Sequence, residues 1–146
     1  MTKSHISIIF LFLGIFIIDQ NIKYFFIDGF RYYTDCIDLT LAYNKGVAFS
    51  MFSFLEEYLK WIQIVILIAV VVYAFYEKLK EYIFPLTIII SSGASNIYDR
   101  FIHGGVVDYV YWHCGFDFAI FNFADVMIDF GVVWILLIHY KIAKNS

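Results

Sequence analysis

Charged residues and proline are scarce in this sequence. Asp, Glu, Lys and Arg make up only 16% of its 146 residues, the formal net charge is -3, and there is one proline. A small negative charge argues against a nucleic-acid partner, which a basic surface would attract. No linker, low-complexity tract or internal repeat is visible. Hydrophobic residues make up 62% of the chain, against roughly 45–50% in an ordinary soluble domain, so the composition indicates a membrane protein.

Side chains suited to metal or thiol chemistry are also few. The four histidines show no metal-ligand spacing, and His113, Cys114 and Asp117 lie too close together in sequence for a zinc site. We therefore expect no metal and no other cofactor. Cys36 and Cys114 both fall in segments expected outside the membrane, where a disulfide is possible. Two cysteines alone do not establish a bridge, and we expect unpaired thiols.

Four apolar runs are long enough to form membrane-spanning helices, which need about 20 residues each. Such a short chain then has little left for a separate soluble domain. We predict one membrane domain, residues 1–146, with spans at 6–27, 59–76, 82–98 and 119–140. The first run is longer than the core of a cleaved signal peptide, and no small-x-small cleavage site follows it. We expect this run to remain as an anchor.

The short segments at one end of these spans are basic. "EKLKE" joins the second span to the third, "KIAKNS" follows the fourth, and "MTKSH" precedes the first. Because Lys and Arg favour the cytoplasmic side of a membrane protein, we predict that both termini are cytoplasmic. Residues 28–58 and 99–118 then lie on the outer side.

The first outer segment contains a predicted strand. In "IDLTLAYN", residues 37–44, apolar and polar side chains alternate with the period of a half-buried strand. "NKG", residues 44–46, is typical of a tight turn, and "VAFSMF", residues 47–52, is a candidate partner strand. The predicted fold is an all-α integral membrane protein with four transmembrane helices and a small extracytoplasmic β-sheet.

Acids within apolar runs are candidates for function. An ionised side chain at the bilayer centre costs at least about 2.5 kcal/mol, so it is expected to face protein or water. Asp19 and Lys23 stack on one helix face, where we expect a structural ion pair, with a direct substrate contact as the alternative. Asn96 and Arg100 also share a face. Arg100 either donates to a peptide carbonyl or carboxylate or extends to interfacial water.

Asp108, Asn122 and Asp125 are brought to the same leaflet by the predicted topology. Two carboxyl groups in a partly desolvated site share one proton. The ionised member can take a proton from a water that attacks a peptide carbonyl, while the protonated member hydrogen-bonds to the carbonyl oxygen, as in an aspartic protease. A small four-span proton-coupled carrier is the alternative, but it requires acids near the midplane. Here the polar groups lie at the outer ends.

Four motifs together resemble the signature regions of the bacterial lipoprotein signal peptidase family, type II. They are "DQNIK" (19–23), "NKGVAF" (44–49), "SNIYDR" with "GGVVDY" (95–109) and "FNFAD" (121–125), in the family's order. The resemblance implies that Asp108 and Asp125 are the catalytic dyad. It also implies that the substrate is a membrane-bound prolipoprotein, cut on the N-terminal side of a cysteine that carries diacylglycerol.

The same resemblance implies roles for residues around the dyad. The residues implied to bind substrate or support the site are Asp19, Lys23, Asn44, Gly46, Asn96, Asp99, Arg100 and Asn122. Of these, Asp99 would help to hold the end of the third span. The outer sheet would form a cradle over the site, and inhibitors of the globomycin type would bind the protein, which we expect to be a monomer among membrane lipids.

Two residues stand out against the family pattern. Ser95 occupies a position where the family usually has glycine, and we expect its hydroxyl to loosen a close helix contact without affecting catalysis. Asp129 lies one turn beyond Asp125 and matches no signature. We expect Asp129 to be structural, as a buried protonated acid or a hydrogen-bond partner to another span, with modulation of the dyad as the alternative.

Overall fold

A computed structural model of the chain describes residues 3–46 and 55–145, a mostly helical structure with one small sheet. Its helices and strands are α1 (Lys3–Ile27), β1 (Ile37–Asn44), α2 (Glu56–Tyr76), α3 (Ile83–His103), β2 (Val106–Trp112) and α4 (Phe123–Lys144). A short 3₁₀ turn, Lys80–Tyr82, leads into α3. The predicted mostly helical fold with a small β-sheet is confirmed.

The helices extend beyond some of the predicted spans. α3 continues to His103, so residues 99–103, predicted as part of an outer segment, are helical. Similarly, α2 begins at Glu56, within the other predicted outer segment. The apolar run and the helix end at different residues because Asp99 and Arg100 are buried against other parts of the protein, where they need no water.

Three helices among the described residues are long and apolar enough to cross a membrane: His5–Ile27, Glu57–Tyr76 and Phe123–Lys144. α3 is not one of them, because it carries several serines and other polar residues, including Asn96, Asp99 and Arg100, towards its C-terminal end. It instead packs against α1, α2 and α4, so its polar face meets protein. The chain is an integral membrane protein in which α3 is the central helix.

Close contacts between helices depend on small residues. The buried Ser91 of α3 donates a hydrogen bond to the carbonyl oxygen of Phe12 in α1, at 2.6 Å. On the other side of α3, a Cβ atom at Gly131 of α4 would lie 2.6 Å from Ile89 Cγ1 and 3.1 Å from the Pro85 carbonyl oxygen. Glycine at residue 131 therefore permits α4 to pack directly on α3.

The sheet consists of β1 and β2 in antiparallel pairing, from Ile37 opposite Trp112 to Asn44 opposite Val106. The sequence analysis proposed residues 47–52 as the partner of β1, but these residues lie outside the described part of the chain. The described partner is β2. β1 precedes α2 in the sequence and β2 follows α3. A local alternation pattern cannot reveal a pairing between strands so far apart in the chain.

A disulfide joins Cys36, next to the start of β1, to Cys114, just after the end of β2. The expectation of unpaired thiols is therefore wrong. The two cysteines are 78 residues apart in sequence, but the pairing of the strands brings their segments together. His113 also donates its backbone N–H to the Cys36 carbonyl oxygen at 2.9 Å.

Two glycines connect α3 directly to β2. Gly104 ends the helix with φ 72°, in the left-handed region that glycine adopts without strain. A Cβ atom on Gly105 would lie 3.0 Å from the carbonyl oxygen of Asn44. The close approach lets β2 begin beside the end of β1, and so places Asp108 next to Asn44.

Candidate active site

A cavity of about 520 Å³ lies where α3 ends and α4 begins, beside the sheet. The polar residues that line it are Asn44, Gln63, Asn96, Arg100, Asp108, Asp125 and Asp129. Apolar side chains of residues 118–121 and of the first turns of α4 form much of the remaining wall. The cavity thus combines a polar end with an apolar lining.

Asp108 and Asp125 both line this cavity, Asp108 from β2 and Asp125 from the first turn of α4. The Asp108 residue is only 2% exposed. Burial, together with the neighbouring Asp125 carboxyl group, raises the pKa of Asp108 to about 7, although hydrogen bonds from Asn44 and Asn122 act to lower it. Asp108 therefore retains its proton to near-neutral pH, and the structure brings together the two acids that the sequence singled out.

Three asparagines hold the two carboxyl groups. The Asn44 amide donates to Asp108 Oδ2 at 3.0 Å, and the Asn122 amide donates to Asp108 Oδ1 at 2.7 Å. The Asn96 amide donates to Asp125 Oδ1 at 2.9 Å. Because these asparagines come from β1, α3 and the start of α4, the position of each acid depends on the packing of separate elements.

The start of α4 fixes Asp125 further through a capping box. Asn122 Oδ1 accepts from the Asp125 backbone N–H at 2.9 Å, and Asp125 Oδ2 accepts from the Asn122 backbone N–H at 3.0 Å. Tyr109 contributes as well, since its hydroxyl accepts from the Phe123 backbone N–H at 2.9 Å and its ring stacks on Phe26. Burial raises the pKa of the Tyr109 phenol, so it stays neutral.

Lys23 occupies the centre of a buried polar cluster behind the dyad. Its Nζ atom lies 2.6 Å from Asp19 Oδ2 and 2.6 Å from Asp99 Oδ2, and it donates to Asn96 Oδ1 at 2.8 Å. The predicted pairing of Asp19 with Lys23 is observed, whereas the contact of Lys23 with Asp99 was not predicted. Lys23 thereby orients Asn96, whose amide in turn holds Asp125.

Ser95 is part of the same cluster. Its hydroxyl donates to Asp19 Oδ2 at 2.7 Å and accepts from Gln20 Nε2 at 2.9 Å, and the residue is fully buried. The expectation that this hydroxyl loosens the helix contact is wrong, because its hydrogen bonds join α1 to α3. Asp19 Oδ1 also accepts from the Ala124 backbone N–H at 3.0 Å, which links the cluster to the first turn of α4.

Asp99 and Arg100 join the end of α3 to the sheet. Asp99 Oδ2 accepts from the Val107 backbone N–H at 3.1 Å. Arg100, 5% exposed, donates to the backbone carbonyl oxygens of Asn44 and Gly46. The alternative in which Arg100 extends to interfacial water is wrong. Arg100 instead binds carbonyls at the end of β1, where Asn44 Oδ1 also accepts from the Gly46 N–H at 3.0 Å.

Asp129 differs from the other acids. It is exposed and lines the cavity, and the structure shows no hydrogen-bond partner for its carboxyl group among residues 3–46 and 55–145. The expectation of a buried structural acid is therefore wrong. Residues four apart share a helix face, so Asp129 lies on the same face of α4 as Asp125, and this face borders the cavity.

Several residues near the site were missed from the sequence. Gln20 and Tyr109 take part through contacts between distant elements, for which no local signal exists. Gln63 had a signal, because it is the one polar residue in the run "WIQIVILIAVVV". No group of three or more His, Cys, Asp or Glu residues in the described ranges could hold a metal ion.

Comparisons with known proteins place this chain in a family. A model of the family "Signal peptidase (SPase) II" matches residues 11–141. The lipoprotein signal peptidase of Sulfurimonas denitrificans is 63% identical over 141 residues, which cover 96% of this chain and 92% of the relative. That of Wolinella succinogenes is 55% identical over 128 residues, with coverage of 86% and 88%.

A solved structure of a bacterial membrane enzyme superimposes with a TM-score of 0.82 at 27% identity, covering 96% of this chain and 91% of that one. A second solved bacterial membrane enzyme gives a TM-score of 0.78 at 26% identity, with coverage of 92% and 93%. The fold is thus that of a membrane enzyme. The chain belongs to the signal peptidase II family, a family of proteases. This membership confirms the resemblance seen in the sequence and does not favour a carrier.

Proposed function

We propose that this chain is an aspartic endopeptidase that removes signal peptides from diacylglyceryl-modified prolipoproteins, cutting on the N-terminal side of the lipidated cysteine. The observation that carries the proposal is the placement of Asp108 and Asp125 in one cavity, with their carboxyl groups held by hydrogen-bond donors. The names of the relatives support the substrate class, since they are lipoprotein signal peptidases.

The two acids divide the proton transfers between them. Asp108, whose pKa is raised by burial, carries the shared proton and hydrogen-bonds to the scissile carbonyl oxygen. Asp125 is the base that takes a proton from the attacking water as its oxygen bonds to the carbonyl carbon. The amide hydrogen bonds from Asn122 to Asp108 and from Asn96 to Asp125 keep each oxygen in place. When the C–N bond breaks, Asp125 gives its proton to the cysteine nitrogen.

The proposal includes a membrane orientation. α3 is the fourth membrane-spanning helix of a single domain, and its polar face is covered by the protein rather than by lipid. Both termini are cytoplasmic, and the cavity lies near the outer face, where the lipidated cysteine of a prolipoprotein is located. The protein acts as a monomer, and inhibitors of the globomycin type bind in the same cavity.

The test is cleavage of a diacylglyceryl-modified prolipoprotein by the purified protein in detergent, scored as signal-peptide release. Asp108→Asn and Asp125→Asn should each lower the rate by about 10³-fold or more, because asparagine can neither accept the proton from water nor share one. Both variants should still fold and bind a globomycin-type inhibitor. Asp28→Asn, at an exposed site after α1, is the matched control and should cleave normally.

Two results would contradict the proposal. Near-normal cleavage by either dyad variant would exclude an aspartic mechanism that uses both acids. Failure of the parent protein to cleave a correctly lipidated substrate would exclude the proposed activity itself.

A further inference from the structure

Two polar side chains in the cavity are left unused by the proposed reaction. Gln63 of α2 and Asp129 of α4 both line the cavity. The Gln63 Oε1 atom is buried without a hydrogen-bond donor among the described residues, and the same part of the structure offers Asp129 no partner. Apolar side chains, including Val126 and Ile128, share this wall. Within residues 3–46 and 55–145, these two acceptors therefore have no protein donor, and apolar side chains share their part of the wall.

Their depth relative to the dyad is set by helix geometry. Asp129 follows Asp125 by four residues, which is about 6 Å along the axis of α4. Asp129 lies about 9 Å from the start of α4, and Gln63 lies about 10 Å from the start of α2, at 1.5 Å per residue. Both helices begin at the end of the molecule that carries the sheet. Counted from this end, Gln63 and Asp129 thus lie at similar distances along their helices, and Asp129 lies about one helical turn beyond Asp125.

A substrate reaching the dyad creates a need for acceptors at this depth. A protease cuts an extended peptide, so the end of the membrane-embedded signal helix must unwind before the scissile bond enters the cavity. Unwinding frees backbone N–H groups in a region without bulk water, where each unpaired group is costly. Acceptors from the enzyme can satisfy such donors.

We propose that Gln63 and Asp129 form a peptide-binding subsite that accepts hydrogen bonds from unwound backbone N–H groups on the N-terminal side of the scissile bond. This inference rests on the proposed function, since it needs the signal peptide to lie along the cavity. The subsite stabilises the extended substrate, which makes Gln63 and Asp129 specificity-determining residues. The diacylglyceryl group fits the pair less well, because ester groups carry no N–H and cannot donate to these acceptors.

The experiment combines enzyme variants with altered substrates. In lipidated prolipoprotein substrates, each of the four amides preceding the scissile bond is replaced in turn by an ester, which removes one N–H. For the parent enzyme, one or two replacements should lower kcat/KM by about 3- to 10-fold, the effect of losing one hydrogen bond. In Asp129→Leu or Gln63→Leu, kcat/KM on the natural substrate should fall by a similar factor, and the same ester should cause no further loss.

Three controls make the result specific. Asp129→Asn keeps a carbonyl acceptor and should retain most of the activity and the sensitivity to the ester. Asn21→Leu removes a polar side chain from an exposed site on α1, where it bonds only to the Ile17 carbonyl of its own helix among described residues, and should change nothing. A substrate with ether-linked rather than ester-linked lipid chains shows whether Gln63 or Asp129 contacts the ester groups of the lipid.

The outcomes separate this inference from the proposed function. If the parent cleaves and the dyad variants do not, but no ester replacement affects the parent, the subsite does not exist. If the ether-linked lipid lowers cleavage by the parent but not by the leucine variants, Gln63 and Asp129 bind the lipid group. The inference is then wrong. If the parent does not cleave at all, the proposed function fails first.

Discussion

At the scale of single residues, the support behind the dyad consists of buried polar groups that are paired with one another. Lys23 has three oxygen partners, and Asp19 accepts from both Ser95 and Ala124. A buried charge without such partners is expensive. The hydrogen bonds also connect in series, from Lys23 through Asn96 to Asp125, so a change behind the dyad is transmitted to it.

The pH dependence of cleavage reports on Asp108. With the pKa of Asp108 raised to about 7, its proton is present below that pH and is lost above it. The rate should therefore fall by about tenfold per pH unit above 7, as expected when one essential proton is lost. The measurement is kcat from pH 5 to 9 in one detergent.

The raised pKa of Asp108 also makes the folding stability of the protein depend on pH. Because the folded protein binds this proton more tightly than the unfolded chain, the contribution of Asp108 to stability declines as pH rises from 3.8 to about 7.

For the pH dependence of cleavage, a rate that is constant up to pH 9 would contradict the assignment of the proton to Asp108.

Lys23→Met should be strongly destabilising. The substitution keeps an apolar chain of similar length but leaves the carboxyl groups of Asp19 and Asp99 facing each other without the ammonium group between them. Removing one partner from a buried ionic cluster costs about 3–5 kcal/mol. Thermal unfolding in detergent should show a lower midpoint, and Lys23→Met with Asp99→Asn should recover part of the loss. An unchanged midpoint for the single variant would show that the ammonium group does not hold the cluster.

At the scale of helices and strands, α3 organises the molecule. It packs against the other three helices and against β2, and its small residues permit close approach. Its central position explains why the Asn96, Asp99 and Arg100 side chains of α3 contact protein rather than lipid. α1, α2 and α4, in contrast, expose many large apolar side chains, as expected of helices that face the bilayer.

Gly131→Ala tests the contact between α3 and α4. The added methyl group would lie 2.6 Å from Ile89 Cγ1 and 3.1 Å from a backbone oxygen, so the helices must separate or repack, at a cost of about 1–3 kcal/mol. Gly14→Ala in α1 is the matched control, because a Cβ atom there meets nothing within 4 Å. It should stabilise the helix by about 0.5–1 kcal/mol. If Gly131→Ala and Gly14→Ala change the midpoint of thermal unfolding equally, Gly131 has no special role in packing.

Sequence patterns predicted the helices, the first strand and the main acids, because apolar runs, alternation and helical spacing are local. They failed where distant segments meet. The pairing of β1 with β2, and with it the Cys36–Cys114 disulfide, depends on a chain reversal through two helices. The bonds of Ser95 and Arg100 likewise require a neighbouring element in a known position, which no pattern within one segment specifies.

At the scale of the whole molecule, the two ends differ in chemistry. The sheet, the cavity, the dyad and the disulfide lie at the end where α2 and α4 begin. The basic residues of the short link before α3 and of the end of α4 lie at the opposite end, including Lys78 and Lys144. Lys-rich segments favour the cytoplasm, and disulfides persist in oxidising compartments. Both arguments support the proposal that the cavity lies on the outer side.

This orientation can be measured directly. In a Cys36→Ser, Cys114→Ser background, which has no other cysteine, single cysteines introduced at Lys78 and Lys144 should resist a membrane-impermeant maleimide in intact cells. A cysteine at Asp35, an exposed residue beside the sheet, should react. All three should react after the membrane is permeabilised, which controls for buried thiols. Labelling of the Lys144 position in intact cells would place the C-terminus outside. It would then put the dyad on the cytoplasmic side, away from an exported lipoprotein, and the proposed function would lose its access to the substrate.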